Sequence, residues 1–215
     1  MPLSTSRLRL PLPALVLVLC ACASSPVQPS GFLDNYSQLK PTPDDQLLLY
    51  YEKPGVPWQH YTKLLIDPIK VYYSPEARDR EIDPEELKRL TDYAHMALRE
   101  AIGDAYPVVR EPGPGVLRLR AAITNLIPAN PLLNVATTAA VFIPLDMGGA
   151  AVEAEFLDSR TNERLAALVD RKIGFPLAPG DIVQGFTKWG HAKRAFDAWA
   201  KMLRESMDEV HGKTK

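Results

Sequence analysis

The sequence predicts an α+β fold, a two-layer sandwich in which two amphipathic helices cover one face of a mainly antiparallel sheet of four to five strands. Two observations lead to this prediction. Residues 83–103 and 187–210 have the apolar period of amphipathic helices. Residues 116–124, 150–158 and 164–172 alternate apolar and polar side chains, as half-buried strands do. Two helices with apolar stripes need a sheet face against which to bury them.

The first helix has clear signals at both ends. Asp83 suits the N-cap, Pro84 the first helical position and Glu86 the third, while Gly103 suits the turn after the helix. Its apolar stripe consists of Leu87, Leu90, Ala94, Ala97, Leu98 and Ala101. For the last helix, Thr187 is the predicted N-cap and Gly212 follows the end. Its broad apolar face contains Trp189, Ala192, Phe196, Trp199, Leu203 and either Met207 or Val210.

The strands divide their side chains between two faces. The predicted inward-facing residues are Leu117, Leu119, Ala121, Ile123, Val152, Ala154 and Phe156. Arg118 and Arg120 face outward, as do Glu153 and Glu155, so we expect these charges to meet across neighbouring strands. Residues 159–163 are predicted to form the turn of a β-hairpin, and residues 164–172 are predicted to form its second strand.

Two further segments extend the predicted sheet. Residues 63–73 are β-rich, and Pro68 within them indicates an edge strand or a bulge. Residues 106–110 predict a short strand. The predicted order is therefore β-α-β-β-β-β-α, without internal repeats.

The N-terminus has the layout of a secretory signal. Arg7 and Arg9 precede a short apolar run at residues 14–19, which falls well short of the roughly 20 residues that a membrane span needs. Leu19, Ala21 and Cys22 follow at the spacing of the bacterial lipobox. This resemblance implies cleavage between Ala21 and Cys22, a diacylglyceryl group on the Cys22 thiol, and acylation (palmitate) of the new amine. A redox or metal-binding pair is disfavoured, because the two cysteines are separated by one residue.

The lipobox defines the expected organisation of the chain. Residues 1–21 are the signal peptide, 22–31 a lipidated tether, 32–60 an irregular N-terminal arm and 61–211 a single periplasmic α+β domain. The arm is expected to pack on the domain through Phe32, Leu33, Tyr36 and Leu39. Ala23, where inner-membrane lipoproteins of Gram-negative bacteria typically have Asp, indicates sorting to the periplasmic face of the outer membrane.

Three segments together resemble a known family. They are SGFLDNYSQLKP after the lipobox, LLIDPIKVYY, and GGAAVEAEFLDSRTNERLAALVDRK. The combination is similar to an uncharacterised family of proteobacterial lipoproteins known only as domain of unknown function 3313, and the similarity covers most of residues 30–205. This resemblance implies a lipoprotein and carries over no catalytic residue.

Composition and motifs give no sign of an enzyme. A formal net charge of -1 does not favour nucleic acid as a partner. The sequence lacks a phosphate-binding loop, a nucleophile elbow and a dinucleotide fingerprint. We therefore expect no enzymatic activity and no cofactor.

The isolated histidines and aspartates give only weak support for a metal site or a catalytic site. The histidines are scattered and are interpreted as surface or boundary residues rather than metal ligands: His60, His95, His191 and His211. Asp67, Asp158 and Asp170 lie near strand ends, where two of them could form a general acid/base pair, although turn-stabilising roles are commoner.

Residues 131–149 are unusual because they carry no charge before Asp146. One interpretation is a buried loop or strand. The other is an exposed patch that contacts a partner or the membrane surface. The residues of this possible interaction patch are Leu132, Leu133, Val135, Val141, Phe142 and Ile143.

Three functional hypotheses follow. The first is a non-enzymatic lipoprotein, anchored in the membrane by its lipid, whose domain binds envelope proteins or assists envelope assembly. The second is a small-ligand binding module with an apolar pocket between the sheet and the helices. The third and weakest is a hydrolase that uses strand-end acids, which would require converging carboxylates.

Overall fold

Three long antiparallel strands form the centre of the sheet. A computed structural model describes residues 28–141, 145–174 and 181–213. Within these ranges the strands are β1 (Lys40–Pro41), β2 (Leu49–Glu52), β3 (Lys63–Ile66), β4 (Lys70–Val71), β5 (Val108–Val109), β6 (Val116–Ile127), β7 (Gly149–Asp158) and β8 (Arg164–Ile173). Their order across the sheet is β1-β2-β8-β7-β6-β3-β5, and β4 also pairs with β6.

The sheet has more strands than the four to five predicted. The part of the chain that the structure describes contributes eight. The predicted hairpin of β7 and β8 is confirmed, and β6 pairs antiparallel with β7. Residues 32–60, predicted to be irregular, supply β1 and β2, and β2 pairs with β8. The break at Pro68 separates β3 from β4, but β3 lies between β5 and β6 rather than at an edge.

The α-helices in the described residues are α1 (Pro84–Ile102), α2 (Pro131–Val141), α3 (Asp181–Gln184) and α4 (Gly190–Val210). The predicted cap of α1 is confirmed, because the Asp83 carboxylate accepts hydrogen bonds of 3.0 Å from the backbone N–H groups of Glu85 and Glu86. The predicted cap of α4 is wrong. Trp189 occupies that position, and Thr187 instead donates its hydroxyl to the carbonyl of Gln184 in the preceding turn. No described helix is long and apolar enough to cross a bilayer.

The long helices α1 and α4 pack together on one face of the sheet, as predicted. The inward-facing residues of β6 and β7 meet this helical layer. The buried residues at the contact include Leu90, Ala94, Leu117, Leu119, Ala121, Ile123, Val152, Ala154, Phe196, Leu203 and Met207.

The opposite face of the sheet is covered by the N-terminal arm. Phe32 and Leu33 are buried there against Ala122, Ala167 and Val169 of the central strands, with Tyr36 and Leu39 at the margin. The predicted packing of the arm is confirmed, and both faces of the central strands are therefore shielded from water.

Candidate functional site

An apolar cavity of about 540 Å³ lies between the sheet and α4. This volume falls within the usual range of small-molecule sites. Trp58, Trp199 and Met202 form part of its wall. Most of the other lining residues are apolar and come from the start of β2, from β6, β7 and β8, and from α1 and α4. They include Leu48 just before β2, Leu98, Leu117, Leu119, Ala121, Val152, Ala154, Phe156, Ala166, Leu168, Leu203, Met207 and Val210.

The polar residues of the cavity lining are acidic or neutral. Glu52 accepts hydrogen bonds from the Trp58 indole Nε1, at 2.6 Å, and from the Tyr50 hydroxyl, at 3.1 Å. Burial and the adjacent Glu52 carboxylate raise the pKa of Tyr50 above its ordinary value. Glu209 is the other charged residue of the lining, and none of the described residues that line the cavity is basic.

The wall at Trp199 is fixed by a buried carboxylate. The Trp199 Nε1–H donates a 2.6 Å hydrogen bond to Asp170, which is completely buried in β8. The ammonium group of Lys172 lies 3.1 Å from the same carboxylate. The indole ring is thereby held at one position between the helical layer and the sheet, which gives the cavity a defined boundary.

A second candidate site lies beyond one end of the sheet, where the uncharged segment forms α2 rather than a loop or strand. Asn130 caps this helix, because its side-chain oxygen accepts a 3.1 Å hydrogen bond from the N–H of Leu133. Leu132, Leu133 and Val135 are 81%, 46% and 55% exposed. The side chain of Val141, and residues 142–144 with Phe142 and Ile143, lie outside what the structure describes.

Asn134 attaches α2 to the rest of the molecule. Its buried amide donates to the carbonyl oxygens of Asp146, at 2.8 Å, and Gly185, at 2.6 Å. Its side-chain oxygen accepts from the N–H of Asp146 at 2.8 Å. One turn of α2 is therefore fixed to both neighbouring connections, while the apolar side chains around Asn134 face water.

Close backbone packing supports this end of the sheet. A Cβ on Gly148 would lie 2.7 Å from the carbonyl oxygen of Ile127, which explains the small residue there. The N–H of Gly148 also donates to Nδ1 of His191 at 3.3 Å. His191 is only 4% exposed, so its interpretation as a surface or boundary residue is wrong.

The strand-end acids do not converge. Asp67 forms a two-point ion pair with Arg118, at 3.0 and 2.8 Å. Asp158 organises the β7–β8 turn, and Asp170 holds Trp199. No group of three or more His, Cys, Asp or Glu side chains in the described residues is placed to bind a metal ion.

The predicted cross-strand charges pair only in part. Arg120 forms the expected ion pair with Glu155. Arg118 instead pairs with Asp67, and Glu153 binds the N-terminal arm. The predicted lipidation and cleavage residues, Cys22 and Ala21, lie outside the described ranges.

Comparison with known proteins places the chain in a family. A family model described as "Protein of unknown function (DUF3313)" matches residues 28–203. The chain belongs to this family. It is also 33% identical over 109 residues to the "Uncharacterized lipoprotein YdcL" of Escherichia coli strain K12, a match that covers 48% of this chain and 49% of that protein. The chain thus spans about half the length of the curated relatives it matches, and these comparisons support a lipoprotein of unknown function.

Solved structures show only a distant likeness. A PelC dodecamer chain from Paraburkholderia phytofirmans has a TM-score of 0.39 at 10% identity, with 78% of this chain and 98% of that chain covered. A candidate lipoprotein of Caulobacter crescentus CB15 has a TM-score of 0.37 at 8% identity, with 74% and 97% covered. Likenesses at this level carry no functional information.

Proposed function

We propose that this DUF3313 protein is an outer-membrane lipoprotein of a Gram-negative bacterium, acylated at Cys22, whose periplasmic domain binds an apolar ligand. The lipobox spacing and the lipoprotein relatives support the anchor. The cavity of about 540 Å³ between the sheet and α4 is the observation that carries ligand binding.

The lining of the cavity defines the class of ligand. Its apolar wall favours an alkyl chain or another hydrophobic group, because burial releases water from both surfaces. Its charged residues, Glu52 and Glu209, are both acidic. A carboxylate or phosphate headgroup would be repelled by these two residues, whereas a hydroxyl group or a cation would not. The expected ligand is therefore an uncharged or cationic amphiphile.

Photocrosslinking tests this proposal. The purified lipoprotein is incubated in detergent with a long-chain alcohol that carries a diazirine, or with the corresponding fatty acid, and is then irradiated. We expect the alcohol to label residues of the cavity lining, mapped by mass spectrometry, and the acid to label them several-fold less. Met202→Trp, which fills part of the cavity, should reduce this labelling.

Met96→Trp is the matched control, because Met96 lies on an exposed part of α1 and does not line the cavity. It should leave labelling unchanged. Equal labelling of the two tryptophan variants, or labelling confined to other parts of the chain, would show that the cavity does not bind the alcohol.

The anchor has its own test. Mass analysis of the N-terminus of the mature protein should find Cys22 as the first residue, with a diacylglyceryl group and an acylated amine. An unmodified Cys22, or cleavage elsewhere, would contradict the proposal. Replacement of Ala23 by Asp is expected to move the protein from the outer to the inner membrane, as sucrose-gradient fractionation of the two membranes would show.

The first hypothesis from the sequence, a non-enzymatic module that binds envelope proteins, stays a prediction. Crosslinking in intact cells, followed by identification of captured proteins, addresses it directly. Capture of the same defined protein through several surface positions would favour this hypothesis over ligand binding as the main role.

A further inference from the structure

The two ends of the sheet have unlike surfaces. At one end, the β7–β8 turn carries Asp158, Arg160 and Glu163, and Lys53 pairs with Glu163 beside it. At the other end lie the described residues that follow β6 and β8, which are 128–141, 145–148, 174 and 181–187. The only charged residues among them are Asp146 and Asp181. We call this second end of the sheet the apolar end.

Apolar side chains at the apolar end are exposed to an unusual degree. Besides the residues of α2, Leu145 is 55%, Val183 68% and Phe186 36% exposed. The hydrogen bonds of Asn134 to Asp146 and Gly185 hold these three segments together. Exposed apolar surface that is held in place in this way indicates a contact surface.

The N-terminal arm shows where the anchor leaves the domain. Arg164, opposite Leu157, donates to the carbonyl of Asn35 at 2.9 Å, and the guanidinium of Arg120, opposite Glu155, lies 5.5 Å from the ring centroid of Phe32. Ser30 contacts Glu153, still nearer the start of β7. From Asn35 back to Ser30, the chain therefore runs along the sheet towards the apolar end.

We propose that the apolar end rests on the lipid bilayer in which Cys22 is anchored. The inference rests on the proposed acylation of Cys22. About four residues of β7, roughly 13 Å, separate the level of Ser30 from Gly149 at the end of the strand. The eight residues from Cys22 to Ser30 can span at most about 29 Å. The tether is thus long enough to reach the membrane from this end, and the direction of the chain from Asn35 to Ser30 favours the apolar end over the opposite one.

A lipid bilayer is the occupant that best explains this exposed apolar surface, because the tether keeps the bilayer beside it at all times. A short tether gives the bilayer a high effective concentration at the apolar end, so even a weak interfacial affinity suffices. Insertion of Leu132, Leu133 and Val183 into the headgroup region would remove apolar area from water. Lys172 and Lys188, which border the apolar end, form ion pairs with Asp170 and Glu86, so the exposed apolar side chains carry the proposed contact.

Spin labels on the complete lipoprotein in phosphatidylethanolamine and phosphatidylglycerol vesicles test the proposal. Acylation occupies the thiol of Cys22, so Leu133→Cys, Val183→Cys or Thr161→Cys each supplies a single reactive thiol. Labels at 133 and 183 should collide more often with oxygen, which is concentrated in lipid, than the label at 161 does. They should collide less often with a water-soluble nickel chelate. The label at Thr161, in the β7–β8 turn at the opposite end of the sheet, should be as accessible to both reagents as a label in free solution.

The possible outcomes separate the anchor from the docking surface. Protein that fails to float with vesicles would show that the anchor is wrong, and this proposal with it. Floating protein whose labels at 133 and 183 match the one at 161 would overturn docking but not the anchor. Labels shielded from both reagents and broadened by spin–spin coupling would show a second copy on this surface, which would also overturn it.

Discussion

The phenol of Tyr36 donates a hydrogen bond of 2.6 Å to the carboxylate of Glu153, although 117 residues separate them in sequence. Glu153 lies in β7 and is completely buried, because the N-terminal arm covers it. The backbone N–H of Ser30 donates a second bond of 2.7 Å to the same carboxylate. An acidic residue that the strand pattern directs towards water therefore fixes the arm and sets the direction in which the tether leaves.

Loss of the Tyr36 hydroxyl should loosen the arm. Burial, together with the hydrogen bond to Glu153, raises the pKa of Tyr36 above its ordinary value, so the phenol keeps its proton and remains a hydrogen-bond donor well above neutral pH. Tyr36→Phe removes a bond to a buried carboxylate and should lower the free energy of unfolding by about 1–3 kcal/mol. Hydrogen exchange of residues 30–39 should become faster. Tyr72→Phe is the control, since Tyr72 also contacts Phe32 but is 46% exposed; equal effects would contradict this role of Tyr36.

The apolar end should depend on Asn134. Asn134→Leu leaves the backbone groups of Asp146 and Gly185 without their side-chain partner. We expect a loss of at least about 2 kcal/mol in the free energy of unfolding, because the substitution removes three hydrogen bonds and leaves the buried carbonyl of Gly185 without its partner. Thr137→Ala, on the same helix, should cost less than about 0.5 kcal/mol. Chemical denaturation measures both, and a small effect of Asn134→Leu would mean that α2 is held by other contacts.

Asp158 should make stability depend on pH. Burial raises the pKa of this carboxyl group, but hydrogen bonds from the N–H of Thr161, the Tyr61 hydroxyl and the N–H of Arg160 outweigh burial and lower it. A lowered pKa in the folded state stabilises the protein above the ordinary value of about 4, and this contribution disappears as the pH falls through the lowered pKa.

The variant Asp158→Asn removes this titration. At pH 7 it should be less stable than the wild type by about 1–2 kcal/mol. The difference should shrink as the pH is lowered from about 4, and urea denaturation at several pH values would measure it. A difference that stays constant across this range would show that the hydrogen bonds do not depend on the charge of Asp158.

Capping residues near the helix ends allowed the long helix α1 to be predicted from the sequence alone. Asp83, Pro84 and Gly103 define α1 because caps act within one turn of the backbone. Asn130 and Pro131 carry the same kind of signal for α2. That helix was missed because its own residues are uncharged and show no regular alternation of polar and apolar side chains, the feature on which the periodicity argument depends.

Features that depend on distant partners were harder to predict. The pairing of Arg118 with Asp67 requires the parallel register of β3 and β6, which no local pattern encodes. The second hypothesis included an apolar pocket between the sheet and the helices, but the size and lining of the cavity depend on how α4 packs over the sheet, which the apolar pattern of α4 does not encode. His191 is buried by the connections at the apolar end, which the helical period of α4 does not show.

Trp199 and Asp170 should be energetically coupled. Their 2.6 Å hydrogen bond joins α4 to a completely buried carboxylate in β8. In a double-mutant cycle of Trp199→Phe and Asp170→Asn, measured by chemical denaturation, we expect a coupling energy of about 1–3 kcal/mol. The exposed hydrogen bond between Tyr93 and Asp197 provides the matched control, with Tyr93→Phe and Asp197→Asn.

Water competes for the control pair, so its coupling should stay below about 0.5 kcal/mol. Trp199→Phe should also reduce labelling of the cavity by the diazirine alcohol, since the indole no longer has a fixed position in the wall. Equal coupling in the two cycles would show that burial of Asp170 adds nothing to the bond. Unchanged labelling in Trp199→Phe would show that the position of this ring does not matter for ligand binding.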